Sequence, residues 1–564
     1  MRKIILSVIA LLLVFCSMTQ VSCAGRKPEA AETTQSTAGA TTVEDTTAGA
    51  LSTAALSTAE PDTDPAMPEI EYGGRPSLRL FINGFEYIPD MRSSGKEACF
   101  FLPAGADLSA LSVFIDIGEK ESVRINGKNF KRGYRVFDLS DGKTLEANFV
   151  RAGGGAVSYS FKQTSTNSLY LATDGAPEDI SAVNADKAHE TSCTGTAYFT
   201  GKDPVDSFDT GFIMHGRGNA TWTDEKKSYS INFTDESGER KNKVSVCGMD
   251  AGSKYALLAS HRDCTLIRSA LALTLAQTLG LRSAAGFVFT DLFINGEYNG
   301  LYMLTERITK QKAGIELAEK DSLEGGYLLE FDNYGDSPQI KLKISRMRVT
   351  INSPTGLESY DAIQGFLNEA ESALHSPDGV NEKTGKRWDE YLDADSFAKL
   401  WIVREYSMDY DANVNFHCFY DPSDGKLHAG PAWDFDNSFA RSTGTYADPY
   451  AALIESGERN ENCFLTLLTK LPEFRQRLAG LYEEHRYLFD DNDGRSVLAL
   501  AEKYREELAS SIDMNFTLWR HRLTSKGWNY PKDDLTYNGY FGILTGFIKG
   551  RDDFWSAYMP GLTE

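Results

Sequence analysis

Asp409-Tyr410-Asp411-Ala412-Asn413-Val414-Asn415, the apolar residues 417–420, the turn at Gly425-Lys426, and then Gly430-Pro431-Ala432-Trp433-Asp434-Phe435-Asp436 form the stretch on which the fold and chemistry turn. Two acidic clusters joined by a predicted β-hairpin bring carboxylates and an amide side by side. Hard oxygen ligands of this kind, Asn415, Asp434 and Asp436, suit Mg²⁺ or Mn²⁺, and such an ion in turn bridges nucleotide phosphates. A carboxylate left off the metal, Asp411 or Asp409, is then able to orient an attacking hydroxyl. The plain alternative is a pair of solvated acidic loops, against which an Asp-Phe-Asp directly after an apolar strand speaks.

Upstream lie three further groups. His215-Gly216-Arg217-Gly218-Asn219-Ala220-Thr221-Trp222 is followed by Lys226-Lys227-Ser228-Tyr229. Glycines flanking an arginine let the backbone approach a ligand, and Arg217, Asn219, Lys226 and Lys227 offer donors suited to a nucleotide's phosphates. A simple turn before a strand has the same composition. His261-Arg262-Asp263 precedes a helical period over 264–279, so it is not the catalytic loop of a protein kinase, and Asp263 or Thr265 reads as a cap. Residues 287–294, Asn295-Gly296 and 301–304 make a hairpin that ends in Thr305-Glu306-Arg307.

This ordered set, with Asn295-Gly296-Glu297-Tyr298-Asn299-Gly300-Leu301-Tyr302, Gly325-Gly326-Tyr327-Leu328-Leu329-Glu330 and Trp433-Asp434-Phe435-Asp436, resembles the spore-coat CotH family of atypical protein kinases over roughly residues 167–485. The resemblance implies a two-lobed kinase-like fold and use of ATP with Mg²⁺ or Mn²⁺. It implies Asp411 as catalytic aspartate, Asn415 and Asp434 as metal ligands, Lys227 or else Lys226 at the phosphates, and Glu306 facing the nucleotide. The sequence departs from protein kinases in two ways. Asn415 follows Asp411 by four residues rather than five, which keeps Asp409 as a rival, and no Gly-x-Gly-x-x-Gly loop is present.

Around this core, the chain of 564 residues carries 80 acidic against 58 basic residues, a net charge of −22 that disfavours nucleic acid as a partner. Arg2 and Lys3 followed by the apolar residues 4–15 form an export signal over 1–24. Val21-Ser22-Cys23-Ala24 resembles a lipoprotein cleavage site that would leave Cys23 lipidated; cleavage near Ala24 with release is the alternative. The Thr/Ala-rich stretch 25–68 holds few large apolar residues and reads as a disordered linker. Residues 69–165 alternate as short strands with Gly and Asp-Gly turns, a small β-sandwich, and 166–564 form the kinase-like domain, strand-rich first and helical later, an α+β arrangement. Of eight cysteines, six fall in the folded region without zinc spacing and read as buried free thiols.

The sequence therefore points to an exported, surface-attached protein that phosphorylates a protein substrate. Membrane contact is expected through the lipid only; the other readings are a kinase-like envelope-binding or structural protein without turnover and a carbohydrate-active enzyme using paired carboxylates beside Trp433.

Overall fold

The computed structural model describes residues 71–91, 94–175, 177–235, 237–238, 240–332, 338–490, 492–519 and 536–563. The leader, Cys23 and the linker over 25–68 lie outside the described residues.

Alternation of period two produces ten short strands: β1 (Ser77–Ile82), β2 (Phe85–Tyr87), β3 (Asp90–Met91), β4 (Glu97–Leu102), β5 (Leu111–Asp116), β6 (Val123–Ile125), β7 (Lys128–Phe130), β8 (Gly133–Phe137), β9 (Leu145–Asn148) and β10 (Ala156–Gln163). They form a four-stranded sheet, β2-β1-β5-β8, and a six-stranded sheet, β3-β4-β10-β9-β6-β7. Leu78 and Leu80 of the first meet Val123, Ile125, Leu145 and Ala147 of the second in one core. That core continues into the next unit, because Tyr170, Phe293 and Tyr298 belong to it. The Phe101 and Tyr298 rings lie 4.5 Å apart and those of Tyr87 and Phe293 5.2 Å apart. Such pairs add about 0.5–1.5 kcal/mol each beyond the area they bury.

The next seven strands are β11 (Asn167–Thr173), β12 (Ser192–Thr200), β13 (Phe208–Arg217), β14 (Ser228–Thr234), β15 (Lys254–Leu258), β16 (Phe287–Ile294) and β17 (Glu297–Glu306). They close into a barrel in the order β11-β12-β13-β14-β15-β17-β16, sealed by a parallel pairing of β11 with β16. Phe212, Met214, Ile231, Phe233, Tyr255 and Leu304, at alternate positions, fill it. The Asn295-Gly296 turn has φ of 49° and 87°, the pair of left-handed residues that a two-residue hairpin requires. Its tip touches the preceding module: Ile88 N donates to Gly296 O at 2.9 Å, and a Cβ on Gly296 would stand 2.6 Å from Glu86 O.

A helix, α1 (Arg268–Thr278), interrupts the barrel strands in sequence. It starts four residues later than its apolar period suggests. Asp263 accepts from Thr265 N and Arg268 N, which winds 263–267 into a turn with Leu266 at φ 65°. The last sheet has the order β19-β20-β18-β21-β22, made of β18 (Tyr327–Phe331), β19 (Gln339–Lys341), β20 (Arg348–Ser353), β21 (Phe416–Asp421) and β22 (Lys426–Ala429). Helices α2 (Ala394–Tyr406), α3 (Val497–Glu507), α4 (Ala509–Trp519) and α5 (Tyr537–Gly561) pack with it into the largest core.

The apolar period over 496–514 suggests one helix, but the chain forms two, broken at Leu508. Ser510 donates to Gln163 O, and Ser511 bonds Thr164 and Ser165, so α4 is drawn onto the end of β10 instead of continuing α3. The fold is thus mixed α+β. Cys99, Cys193, Cys264, Cys418 and Cys463 are buried free thiols, with Cys247 half-buried. Among the described residues no helix is long and apolar enough to cross a membrane.

Candidate active site

The Asp393 side chain accepts from Ser396 N at 2.8 Å and starts α2. The helix ends at Tyr406, Met408 turns the chain at φ 48°, and residues 409–415 lead into β21. Gly430 to Asp436 follow β22, and the two acidic loops are stitched together: Tyr410 N donates to Asn437 O at 3.2 Å and Phe439 N to Ser407 O at 2.6 Å.

Arg404, buried on α2, organises both loops. It pairs with the Asp409 carboxylate, lies 5.2 Å over the Phe435 ring and reaches Trp433 O at 3.5 Å. Burial pushes Asp409 up to about 7, against the pull of Arg404, and the neighbouring Asp411 charge adds to the rise. Asp434 holds its backbone at φ 65°, a left-handed conformation that an aspartate tolerates better than most residues. Its side chain is exposed yet deep among protein atoms, as in a cleft. Burial and the Asp411 charge raise its pKa, opposed by Arg217 and Arg404. Asp436 is pushed up to about 7 by burial and then by Asp434.

From the sheet side, Glu330 on β18 stands opposite His417 on β21, with 3.5 Å between Oε2 and Nε2. Burial works to raise Glu330, but hydrogen bonds to His417, Asn352 and Asn415 bring it down to about 2. From the barrel side, Arg217 ends β13 with its guanidinium 5.4 Å over the Trp433 ring. At the preceding residue, Gly216 leaves room for the Trp222 ring, which lies 2.4 Å from where a Cβ would be. Burial lowers Arg217, while Asp434 raises it and Arg307 lowers it further.

Arg307 also belongs to a cleft of about 540 Å³ at the ends of β15 and β17, with Lys241, Lys243, Lys254, Lys310 and Lys312 around it. Glu306 lines this cleft, where its carboxylate takes Gly286 N at 2.6 Å and Lys312 Nζ at 2.8 Å. This strongly basic cleft in an acidic protein is linked to Arg217 through the charge of Arg307.

Asp411, Asn415, Asp434 and Asp436 are gathered on these two loops, and Arg217 faces them. Asn219 is exposed, opening a short 3₁₀ turn that its side chain does not cap. Three of the expected residues have other partners in this structure. Lys226 is 2% exposed, and its ammonium donates to Ala259 O, Leu301 O and Asn515 Oδ1 at 2.8, 2.5 and 2.9 Å, so its three donors are spent on the barrel and α4. Lys227 donates to Trp222 O and lies 4.9 Å over the Trp222 ring, holding the turn after β13. Asp409 is 0% exposed and paired with Arg404, so it props the loop rather than meeting an acceptor.

Sequence reasoning missed Arg404, Arg307 and Arg459 and gave no role to Glu330 or His417. Arg404 had a signal, a helix-borne arginine five residues before an acidic cluster. Glu330 and His417 acquire meaning only through the β18–β21 register. A further group, Asp421, Asp424 and His428, gathers on the same hairpin. Asp421 is already paired with Arg282, and His428 stands between Asp424 and Asp393.

The family model described as CotH kinase protein matches residues 214–554. The match spans more than half of the chain and covers every residue gathered here, so the chain belongs to the CotH kinase family. No curated protein matches it.

Proposed function

We propose that this chain is a two-lobed, kinase-like enzyme carrying an N-terminal β-sandwich, which transfers a phosphoryl group from ATP to a protein hydroxyl at the cell surface. The observation that carries the reading is the meeting of Asp411, Asn415, Asp434 and Asp436 on two hydrogen-bonded loops, with Arg217 close to Asp434.

The donor set fits a hard divalent cation. It consists of carboxylate and amide oxygens; burial, and then the neighbouring charges of Asp411 on Asp434 and of Asp434 on Asp436, raise the two carboxyls, and a bound cation would favour their ionised forms. Asp434, Asp436 and Asn415 would hold Mg²⁺ or Mn²⁺, whose chemistry is neutralisation of phosphate charge. Arg217 and Arg307 then bind the phosphates, and Glu306 lies at the nucleotide's edge of the cleft. Asp411, with 38% of its side chain exposed, orients the acceptor hydroxyl and takes its proton. Asp409, neutral or ionised, stays behind with Arg404 and fixes the loop. The charged and then apolar leader with Val21-Ser22-Cys23-Ala24 supports export and lipid attachment at Cys23.

The test is transfer of label from γ-³²P-ATP to casein and to envelope extract by the parent and by Asp411→Ala. Label transfer that Asp411→Ala abolishes supports the reading. Nucleotide binding without transfer by the parent makes the chain a binding protein on a kinase-like scaffold.

A further inference from the structure

Arg459 sits in the loop between the helices Leu453–Ser456 and Phe464–Leu468, outside every motif discussed above. Its Nη1 donates to Tyr410 O at 2.6 Å and to Asp411 Oδ1 at 2.7 Å. Its guanidinium carbon lies 4.1 Å from the Tyr410 ring centroid, and the Tyr410 ring packs on Tyr446 at 4.6 Å. The side chain is therefore held by a carboxylate, a carbonyl and an aromatic face while remaining 28% exposed. A surface ion pair of this exposure contributes only about 0–1 kcal/mol to stability, so three restraints on one mobile side chain need another reason. The other cation at the first acidic loop, Arg404, is buried and committed to Asp409. Arg459 thus puts a guanidinium at the open end of the cluster, where Asp411 receives the acceptor. Among the described residues no acceptor is recorded for its Nε and Nη2.

We propose that Arg459 is a catalytic residue: Nη1 holds Asp411 in place, and Nε and Nη2 bind the phosphoryl group during its transfer. The inference rests on the phosphotransfer reading. In the step, the acceptor hydroxyl oxygen forms a bond to the γ-phosphorus as the bond from that phosphorus to the β–γ bridging oxygen breaks. The bonding pair leaves with the nucleoside diphosphate, and the hydroxyl proton passes to Asp411. Negative charge grows on the bridging oxygen and is shared by the three equatorial oxygens, which is where a planar guanidinium supplies two parallel donors.

The experiment uses the full chain, with ADP and Mn²⁺ as ground-state probe and ADP, Mn²⁺ and aluminium fluoride as mimic of the phosphoryl in flight. Calorimetry is run on the parent, Arg459→Ala and Arg459→Lys. ADP should bind all three within about threefold, which also reports that the variants are folded. The affinity gained on adding aluminium fluoride should fall by about 10²-fold in Arg459→Ala, recover in part with added guanidinium chloride, and be intermediate in Arg459→Lys. An undiminished gain in Arg459→Ala overturns the role of Arg459 and leaves the kinase reading standing. A parent that binds ADP but shows no gain also overturns it. A parent that binds no ADP overturns both.

Discussion

Arg551 and Glu405 are both 0% exposed and join α5 to the end of α2, one turn before the first acidic loop. Arg551 donates to Glu405 Oε1 at 2.9 Å and to the carbonyls of Glu405, Pro449 and Ala451 at 2.6, 3.0 and 2.6 Å. Glu405 also accepts from Leu453 N at 2.8 Å and Ile454 N at 2.6 Å. Burial raises Glu405, and Arg551 is what holds that rise in check. Arg551→Met keeps much of the stem's volume but strands a buried carboxylate and takes a donor from four carbonyls, that of Tyr406 at 3.3 Å included, a loss of about 3–5 kcal/mol. The remedy follows from the same physics. Adding Glu405→Gln removes the uncompensated charge and should restore about 1–2 kcal/mol, although the donors lost to the carbonyls are not replaced. The single variant should also gain on acidification relative to the parent. Its Glu405 has a folded pKa above the unfolded value of about 4.5, so protonation favours the fold at low pH and the penalty grows as pH rises. The assay is urea unfolding at pH 5 and pH 7, followed by fluorescence of Trp401 and Trp555, whose rings lie 6.3 Å apart beside this pair. A loss below about 1 kcal/mol for Arg551→Met, or a double variant weaker than the single, would refute the reasoning.

Gly296→Ala combines a left-handed residue with a Cβ 2.6 Å from Glu86 O, so it should cost about 1–3 kcal/mol and loosen the β-module from the barrel, read as faster proteolysis within 71–165. At His428, burial lowers the pKa, but the hydrogen bond and charge of Asp393 with the charge of Asp424 raise it overall. The parent's advantage over His428→Gln in urea should therefore be full below about pH 6.5 and fade as pH climbs through the raised value; an advantage that grows with pH contradicts this. Lys226→Met should lower stability while leaving ATP affinity within about threefold, whereas Arg217→Ala should weaken ATP about tenfold or more with stability little changed; the reverse pattern would return Lys226 to the phosphates.

The strands β16 and β17, the Asn-Gly hairpin between them and the two acidic clusters were legible because each rests on short-range signals: alternation, turn residues with left-handed φ, and carboxylates bracketing an apolar hairpin. The side on which a lysine lands is not a short-range property. Lys226 and Lys227 look equivalent in sequence, yet one is buried against Asn515 nearly 300 residues away and the other lies on Trp222. Asp409 and Asp411 likewise differ through Arg404 and Arg459, which approach from α2 and from a distant loop. The helix break at Leu508 escaped notice because its cause, Ser510 and Ser511 bonding to the end of β10, is tertiary. Glu330 shows the same limit, since only the strand register sets it opposite His417.

The most direct test of the central claim is calorimetry of ATP binding to the full chain with and without Mn²⁺ or Mg²⁺, for the parent and Asp434→Asn. The account predicts cation-dependent binding by the parent, lost at least about tenfold in Asp434→Asn while urea stability is kept or raised, since a repelled carboxylate has been removed. Binding that ignores the cation, or an Asp434→Asn chain that binds ATP as tightly as the parent, would contradict it.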